Sequence, residues 1–341
     1  MPTAIGTQRQ TIRKVVSFLN NKDADGGGFW LPNIQRPFVW TEEQICRLFD
    51  SILRQYPIST LLVWRTNSKI RRRKFIDNWR SSLRLNDFYV PEDNSKKCLV
   101  LDGQQRLRSF YIALEGSYEG REPCFDILSG DQAVPEDIKY KFAFRTDSGF
   151  PWIKFKELVK SNALTNQLSN EIQSRAGRTL SNGEKEKVAN HLGPIALTCK
   201  IEEVVTYQEL DSIDNEELYG DDDVVEVFIR ANSGGTRLGK SELLFSLLTV
   251  SWETADEAME DFLTSLNQQG FRFTRDFVLK TCLVLLGHGA RYEVKKFREA
   301  GVREEIENTW TISPMPFVPF WISSETRPLF SLTRRCPRIW C

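Results

Sequence analysis

Residues 98–116 read CLVLDGQQRLRSFYIALEG, a pattern that predicts a strand, a tight turn and a helix. The run from Cys98 to Leu101 is apolar and has strand length, and it stops at Asp102-Gly103. Apolar residues then recur at the i, i+3, i+4, i+7 spacing of a buried helix face, and Gly116 closes the helix. The residues of that face are Leu107, Phe110, Tyr111 and Leu114. The segment predicts a mixed α/β fold.

The turn in this segment is a candidate anion site. Backbone N–H groups at the start of a helix favour an anion, and Gly103 lets the backbone approach a ligand closely. Arg106 offers a planar fork of donors suited to phosphate, Asp102 can hold Mg²⁺ or orient a water, and Gln104 and Gln105 can donate and accept hydrogen bonds. The alternative is a capped turn with a solvent-facing Arg106. In either case we expect removal of Asp102 and Arg106 to cost little packing.

Helices and strands alternate on both sides of this segment. A first helix is predicted over Gln8–Asn20. Thr41 opens a second helix through a capping box with Gln44, and Pro57 prevents it from continuing. Further strands are predicted over residues 60–64, 125–128 and 140–144, and a returning strand over Ile195–Ile201.

These elements divide the chain into three parts. Residues 1–150 form an α/β domain, and residues 151–311 are mainly helical. Residues 312–341 contain five prolines and no amphipathic period, which is typical of either an extended surface tail or a frameshifted end. The fold class expected from this organisation is α+β.

Composition excludes several classes of protein. The chain has 46 Lys and Arg against 46 Asp and Glu, so its net charge is zero and bulk charge does not hold it to nucleic acid. No apolar run approaches the ~20 residues that span a bilayer. Seven scattered cysteines without a CxxC pair predict reduced thiols and a cytoplasmic location. With two histidines in the chain, an HNH nuclease centre is not expected.

Charge is uneven along the chain. Residues 65–84 hold eight basic residues and one acid, whereas residues 202–226 hold eleven acids and no base. In the first interpretation, the basic run is a solvated loop and the acidic run is a solvated helix face. In the second, the basic run contacts phosphates and the acidic run repels other anions. In the second interpretation DNA is contacted by Arg71, Arg72, Arg73 and Lys74, and the acidic stretch lies far from the DNA path.

Two other motifs stand out. Residues 34–40, IQRPFVW, project Gln35 and Arg36 just ahead of the Thr41 helix. Residues 228–242 contain Asn232 and a G-x4-G-K-S match to a Walker A loop. That match is either a phosphate-binding loop or a helix–loop–helix joint, and the joint is favoured because residues 221–232 fit a helical face better than a strand.

The three motifs, in this order, resemble the N-terminal domain of the GmrSD family of modification-dependent restriction systems. Members show I-Q-R-x-[YF]-x-W before a helix, then D-G-Q-Q-R-L, then F-x-R-x-N-x-G-G-x-x-L, and all three are present here. Residues 51–58 also resemble the S-I-L-x-G-x-P-I of the family. The resemblance extends over about residues 11–248. One departure is Arg108, which stands where the family often has threonine.

The resemblance implies a ParB/sulfiredoxin-like α/β core, a nucleoside triphosphate as substrate, Mg²⁺ as cofactor and a role in defence against phage DNA. It assigns catalysis to Asp102, Gln105 and Arg106, with Asp102 also at the metal. It assigns nucleotide binding to Gly103 and Gln104 and to Gln35, Arg36 and Asn232. The alternatives are a DNA-binding module without turnover and a scaffold in which the pocket is vestigial, and any DNA cleavage would come from a partner effector or an unfamiliar centre.

Overall fold

The three-dimensional structure, a computed structural model, describes residues 5–32, 38–68, 72–83, 88–91, 93–131, 134–214, 219, 223–224, 227–228, 230, 255–268, 272–289 and 301–312. The chain divides into two compact units, with the main break after residue 231. The first unit holds the strands and the first six helices that are described, and the second holds the last three helices.

The strands are β1 (Ile5–Gln10), β2 (Phe29–Pro32), β3 (Leu61–Thr66), β4 (Arg72–Arg73), β5 (Asn78–Trp79), β6 (Tyr89–Val90), β7 (Lys97–Asp102), β8 (Ser117–Tyr118), β9 (Glu122–Asp126), β10 (Phe142–Arg145), β11 (Trp152–Lys154) and β12 (Val205–Asp211). The helices are α1 (Ile12–Phe18), α2 (Glu42–Leu53), α3 (Gln104–Glu115), α4 (Phe155–Lys160), α5 (Thr165–Ser174), α6 (Asn182–Ala196), α7 (Ala255–Asn267), α8 (Arg275–Leu285) and α9 (Val302–Ile312).

A mixed seven-stranded sheet is the centre of the first unit, in the order β1-β12-β3-β7-β2-β4-β6. The strand before the predicted turn, β7, lies in the middle of it, antiparallel to β3 and parallel to β2. Four of its residues, Cys98 to Leu101, are almost fully buried, which explains their unbroken apolar run. Strands β9, β10 and β11 form a second, antiparallel sheet, and β5 pairs with β8.

The chain returns to the large sheet after residue 150. Strand β12 lies between β1 and β3, antiparallel to the first and parallel to the second. The first compact unit therefore extends past the predicted boundary at residue 150. It also follows that the acidic stretch is not a helix face at residues 205–211, because those residues pair with two strands.

Several local predictions are confirmed. Helix α2 begins after Thr41, whose hydroxyl accepts from the Gln44 amide while the Gln44 side chain accepts from the Thr41 amide. Helix α3 begins after Gly103 and ends at Gly116. Both helices are specified by residues within four positions of their ends, so the sequence shows them directly.

Two local predictions are wrong. Residues 8–10 belong to β1 rather than to the first helix, which begins only after Thr11. The returning strand predicted over Ile195–Ile201 is the end of α6 and a π-helical turn. Its apolar residues continue the helical spacing of α6, where Val188, Leu192, Ile195 and Cys199 are buried.

An aromatic cluster fixes the position of α3 within the core. The ring of Phe110 meets that of Phe49 on α2, and Phe49 meets Phe155 on α4. Phe142 on β10 contacts both Phe49 and Phe155. Helix α3 is thus packed against helices on two sides, and its first turn is placed at the end of β7.

The predicted α+β fold class is confirmed by this mixture of sheets and helices. Among the residues that the structure describes, no helix has the length and apolarity to cross a membrane.

Candidate functional site

The turn between β7 and α3 requires glycine for two reasons. Gly103 has φ +89° and ψ +12°, a left-handed conformation that side chains disfavour. A Cβ atom there would also lie 2.1 Å from Leu61 Cδ2. As the N-cap of α3, Gly103 brings no side chain to the first-turn N–H groups, and no side-chain cap is formed. Such an N-terminus attracts an anion.

Arg106 is not exposed to solvent, whereas the alternative interpretation, a capped turn, predicts that it is. Its Nη1 donates to the carbonyls of Ile58 and Ser59 at 2.5 and 2.8 Å, and its Nη2 donates to the carbonyl of Thr60 at 3.2 Å. The side chain is 13% exposed, and burial lowers its pKa, against the opposing effect of Asp102. Arg106 therefore holds the chain that enters β3 against α3. The expectation that its removal costs little packing is wrong, and a phosphate contact from Arg106 stays a prediction that requires these bonds to be exchanged.

Gln104 and Gln105 have separate surroundings. Gln104 is buried and donates from Nε2 to the Val100 carbonyl at 2.7 Å, across the turn from α3 to β7. The Gln105 side-chain oxygen accepts from the Val39 amide at 3.2 Å. Residues 38–40, the described part of the IQRPFVW motif, are thus brought against the D-G-Q-Q-R motif.

Asp102 is the acidic group of the site. It ends β7, its side chain is 45% exposed, and one oxygen lies 3.6 Å from the Arg106 guanidinium. No group of three His, Cys, Asp or Glu side chains suited to a metal occurs among the described residues. A single half-exposed carboxylate nonetheless fits Mg²⁺ that is bound mainly by phosphate oxygens and water.

Arg108 is the residue that sequence reasoning missed. It is 3% exposed, one turn beyond Gln104 on α3, and its guanidinium lies 5.5 Å from the ring centre of Phe38 and 5.7 Å from that of Trp79. Burial, with a smaller contribution from the charge of Arg73, lowers the pKa of Arg108 to about 9, and arginine side chains stay protonated in proteins. Its i, i+4 relation to Gln104 and Ile112 was the one available signal of burial.

Among the described residues of the basic run 65–84, Arg65 and Arg72 form ion pairs within the protein. Arg72 and Arg73 are 2% and 3% exposed, so the solvated-loop interpretation is wrong for both. Arg72 makes two 2.9 Å bonds to Asp93 and lies over Trp30. Lys74 is exposed. DNA contact by this run stays a prediction, and of the three predicted contacts that the structure describes, Lys74 faces solvent.

The acidic and basic runs meet. Arg65, the first residue of the basic run, bonds to Asp211 and Asp214 of the acidic stretch at 2.7 and 2.9 Å. The two runs are adjacent because β12 pairs with β3. The expectation that the acidic stretch lies far from the DNA path stays a prediction, and Arg65, which is not one of the predicted DNA contacts, is neutralised by these acids.

Several predicted residues lie outside the part of the chain that the structure describes. They are Gln35, Arg36, Arg71, Asn232, the Walker-like Lys240 and the tail beyond residue 312. Their assignments stay predictions.

The fold and the site together define an α+β protein in which an uncapped helix N-terminus and a half-exposed carboxylate meet at the end of a central strand. Residues 15–249 match the sequence model of a family described as GmrSD restriction endonuclease, N-terminal domain. Because the match covers well over half of the chain, the protein belongs to this family, as the three motifs predicted. No curated protein matches the chain.

Proposed function

We propose that this member of a restriction family binds and hydrolyses a nucleoside triphosphate, and that turnover regulates the action of a defence effector on DNA, modified DNA included. One observation carries the proposal: the first turn of α3 begins at the uncapped Gly103, directly beside the exposed edge of Asp102. Backbone donors and a carboxylate at one turn suit a phosphate chain and its metal ion.

The residues of the turn have distinct proposed roles. The N–H groups at the start of α3 bind phosphate oxygens, and Asp102 holds Mg²⁺ or orients the attacking water. When bound, Mg²⁺ would neutralise charge on the phosphates. Gln105 contacts Val39 and couples the site to the segment that carries Gln35 and Arg36. Arg106 positions residues 58–60 and Asp102.

Substitution of Asp102 tests this proposal. We expect Asp102→Asn to lower Mg²⁺-dependent turnover of a radiolabelled triphosphate by about a hundredfold or more. The change removes charge but hardly any volume, so the melting temperature should be retained. Asp147→Asn, an exposed aspartate on the loop between β10 and β11, is the matched control and should retain turnover. Full turnover in a folded Asp102→Asn protein would refute the assignment.

Arg106 is unsuitable for the same test. Its removal takes away three bonds to carbonyls as well as a charge, so a loss of turnover would not separate chemistry from folding. Substitution of the Asp102 carboxylate is therefore the test that separates chemistry from folding.

DNA binding without turnover is the second candidate. The observation in its favour is the exposure of Lys74 and Arg80 around the buried Trp79, in the basic run. Absence of turnover in the wild-type protein, together with salt-sensitive duplex binding, would favour it.

A further inference from the structure

Arg108 is a buried charge that the proposed chemistry does not use. Its Nε and Nη1 atoms are inaccessible to solvent and have no hydrogen-bond partner among the residues that the structure describes. Buried charges are normally paired, because an uncompensated ion in the interior is strongly destabilising. The charge that acts on Arg108 within the described chain is Arg73, which has the same sign.

The aromatic rings beside Arg108 do not complete its bonding. Phe38 and Trp79 lie about equally far from the guanidinium and attract its charge. Ring faces offer no lone pairs to N–H groups in the guanidinium plane, whereas an oxyanion does. In the described part of the chain, the neighbours of Arg108 are thus largely apolar, and its Nε and Nη1 atoms have no acceptor.

Arg108 belongs to the same end of α3 as the Gly103 turn. Arg108 lies one helical turn after Gln104, the first residue of α3, and Cα–Cβ bonds in a helix tilt toward its N-terminus. The chain at residues 38 and 39 connects the two features, since Phe38 contacts Arg108 and the Val39 amide bonds to Gln105. Residues 38 and 39 thus lie beside both Arg108 and the first turn of α3.

We propose that Arg108 forms an oxyanion subsite that takes a phosphoryl group of a polyphosphate chain. A phosphoryl group is negatively charged, and the planar donors of a guanidinium suit its oxygens. The inference rests on the proposed function for its source of phosphate, a nucleoside triphosphate, although free tripolyphosphate has the same chemistry.

The test measures affinity rather than turnover. Calorimetry of the full chain with tripolyphosphate and, separately, with ATP and GTP compares the wild type with Arg108→Met, which keeps much of the side-chain volume. We expect affinity to fall about tenfold or more, the loss of one charge-assisted contact. Arg145→Met, which removes another arginine that lies over a tryptophan ring, is the matched control and should bind like the wild type.

A second measurement shows whether the variants fold. Without ligand, Arg108→Met should melt at or above the wild-type temperature, because an unpaired buried charge is removed. Arg108→Lys keeps a charge in the site but loses the planar donors, and we expect its affinity for the same phosphates to fall about threefold or more.

The outcomes separate this inference from the proposed function. Weaker binding of both tripolyphosphate and nucleotide by the Arg108 variants supports the phosphoryl subsite. Weaker binding of nucleotide alone overturns it, because Arg108 would then contact the base or the sugar. Unchanged affinity in folded Arg108 variants, or no binding of these phosphates by the wild type, overturns the subsite. Absence of triphosphate turnover in the wild type overturns the proposed function and leaves the Arg108 result intact.

Discussion

Gly103 lies where backbone conformation and close packing both exclude a side chain. The left-handed conformation disfavours any L side chain, and Leu61 occupies the space that a Cβ atom would need. The residue therefore joins β7 to α3 at a point where no side chain fits. The role of Gly103 is thus conformational, and its effect on stability can be measured without knowledge of the ligand.

We predict that Gly103→Ala destabilises the protein by about 1–2 kcal/mol more than Gly177→Ala, because the first adds overpacking to backbone strain. Gly177 has φ +64° and open space where a Cβ atom would stand, so it carries the backbone strain alone. Urea denaturation of both variants measures the difference. Equal losses would mean that Leu61 moves aside at no cost.

Arg108 shows the limit of reasoning from a single residue type. An arginine on a helix is usually exposed, and the resemblance to the family marked this position only as a departure. Its burial between Phe38 and Trp79 depends on residues that lie far earlier in the chain.

At the scale of elements, the edge of the large sheet depends on one ion pair. Strand β4 has two residues and pairs with β2 and β6, so few backbone bonds hold it. Asp93 accepts two bonds from Arg72 and further bonds from the amide and hydroxyl of Ser95. The Arg72 bonds, with those of Ser95, hold the pKa of Asp93 well below its usual range.

We predict that the ion pair between Arg72 and Asp93 makes the free energy of unfolding depend on pH. A carboxyl whose pKa is lower in the folded state stabilises that state above its unfolded pKa of about 4, and this contribution is lost as the pH falls below that value. Asp93→Asn should therefore have a smaller free energy of unfolding than the wild type at pH 7, and this difference in stability should narrow below about pH 4. Because Asp93 is half exposed, solvent screening keeps the effect small.

Urea midpoints of the two proteins at several pH values between about 7 and 2.5 measure this difference. Arg72→Met gives the complementary comparison, since it removes the partner of Asp93. Parallel curves for the wild type and Asp93→Asn would contradict the prediction.

At the scale of the whole molecule, the large sheet of the first unit is completed by β12, a strand that is distant in sequence from its neighbours. Strand β12 joins β1 to β3, and α4 to α6 precede it in the chain. A fragment that ends at residue 150 lacks this strand and leaves one edge of β3 and one edge of β1 unpaired. Unpaired central edges favour aggregation over folding.

We predict that a fragment of residues 1–231 unfolds cooperatively, whereas a fragment of residues 1–150 does not. The physical reason is that only the longer fragment contains the seven strands of the large sheet. Thermal melts followed by circular dichroism compare the two. A cooperative melt of the shorter fragment would show that β12 is dispensable.

Zero net charge limits any DNA binding to local contacts. We predict that Lys74→Ser lowers the slope of log affinity against log salt by about one, the value for one phosphate contact. Lys185→Ser, on the exposed side of α6, should leave the slope unchanged. Fluorescence anisotropy of a labelled duplex measures both, and identical slopes for Lys74→Ser and the wild type would exclude Lys74 as a contact.

The sequence by itself determined the elements whose signals are local. The Thr41 capping box, the apolar strand before Asp102 and the helix between Gly103 and Gly116 each depend on residues a few positions apart, so their patterns are visible in one dimension. The three ordered motifs identified the family for the same reason. The candidate turn was found because its strand, glycine and helix are contiguous.

Only the tertiary structure decided what the polar side chains of that turn do. Arg106 finds carbonyls 46 to 48 residues away, Gln105 a backbone amide 66 residues away, and β12 returns from beyond residue 200 to pair with β3. Such contacts are set by the packing of distant elements and leave no local period in the sequence. In sequence alone Arg106 fits a phosphate ligand or a solvent-facing turn, and the structure adds a role that neither includes, since Arg106 binds the carbonyls of residues 58–60 before β3.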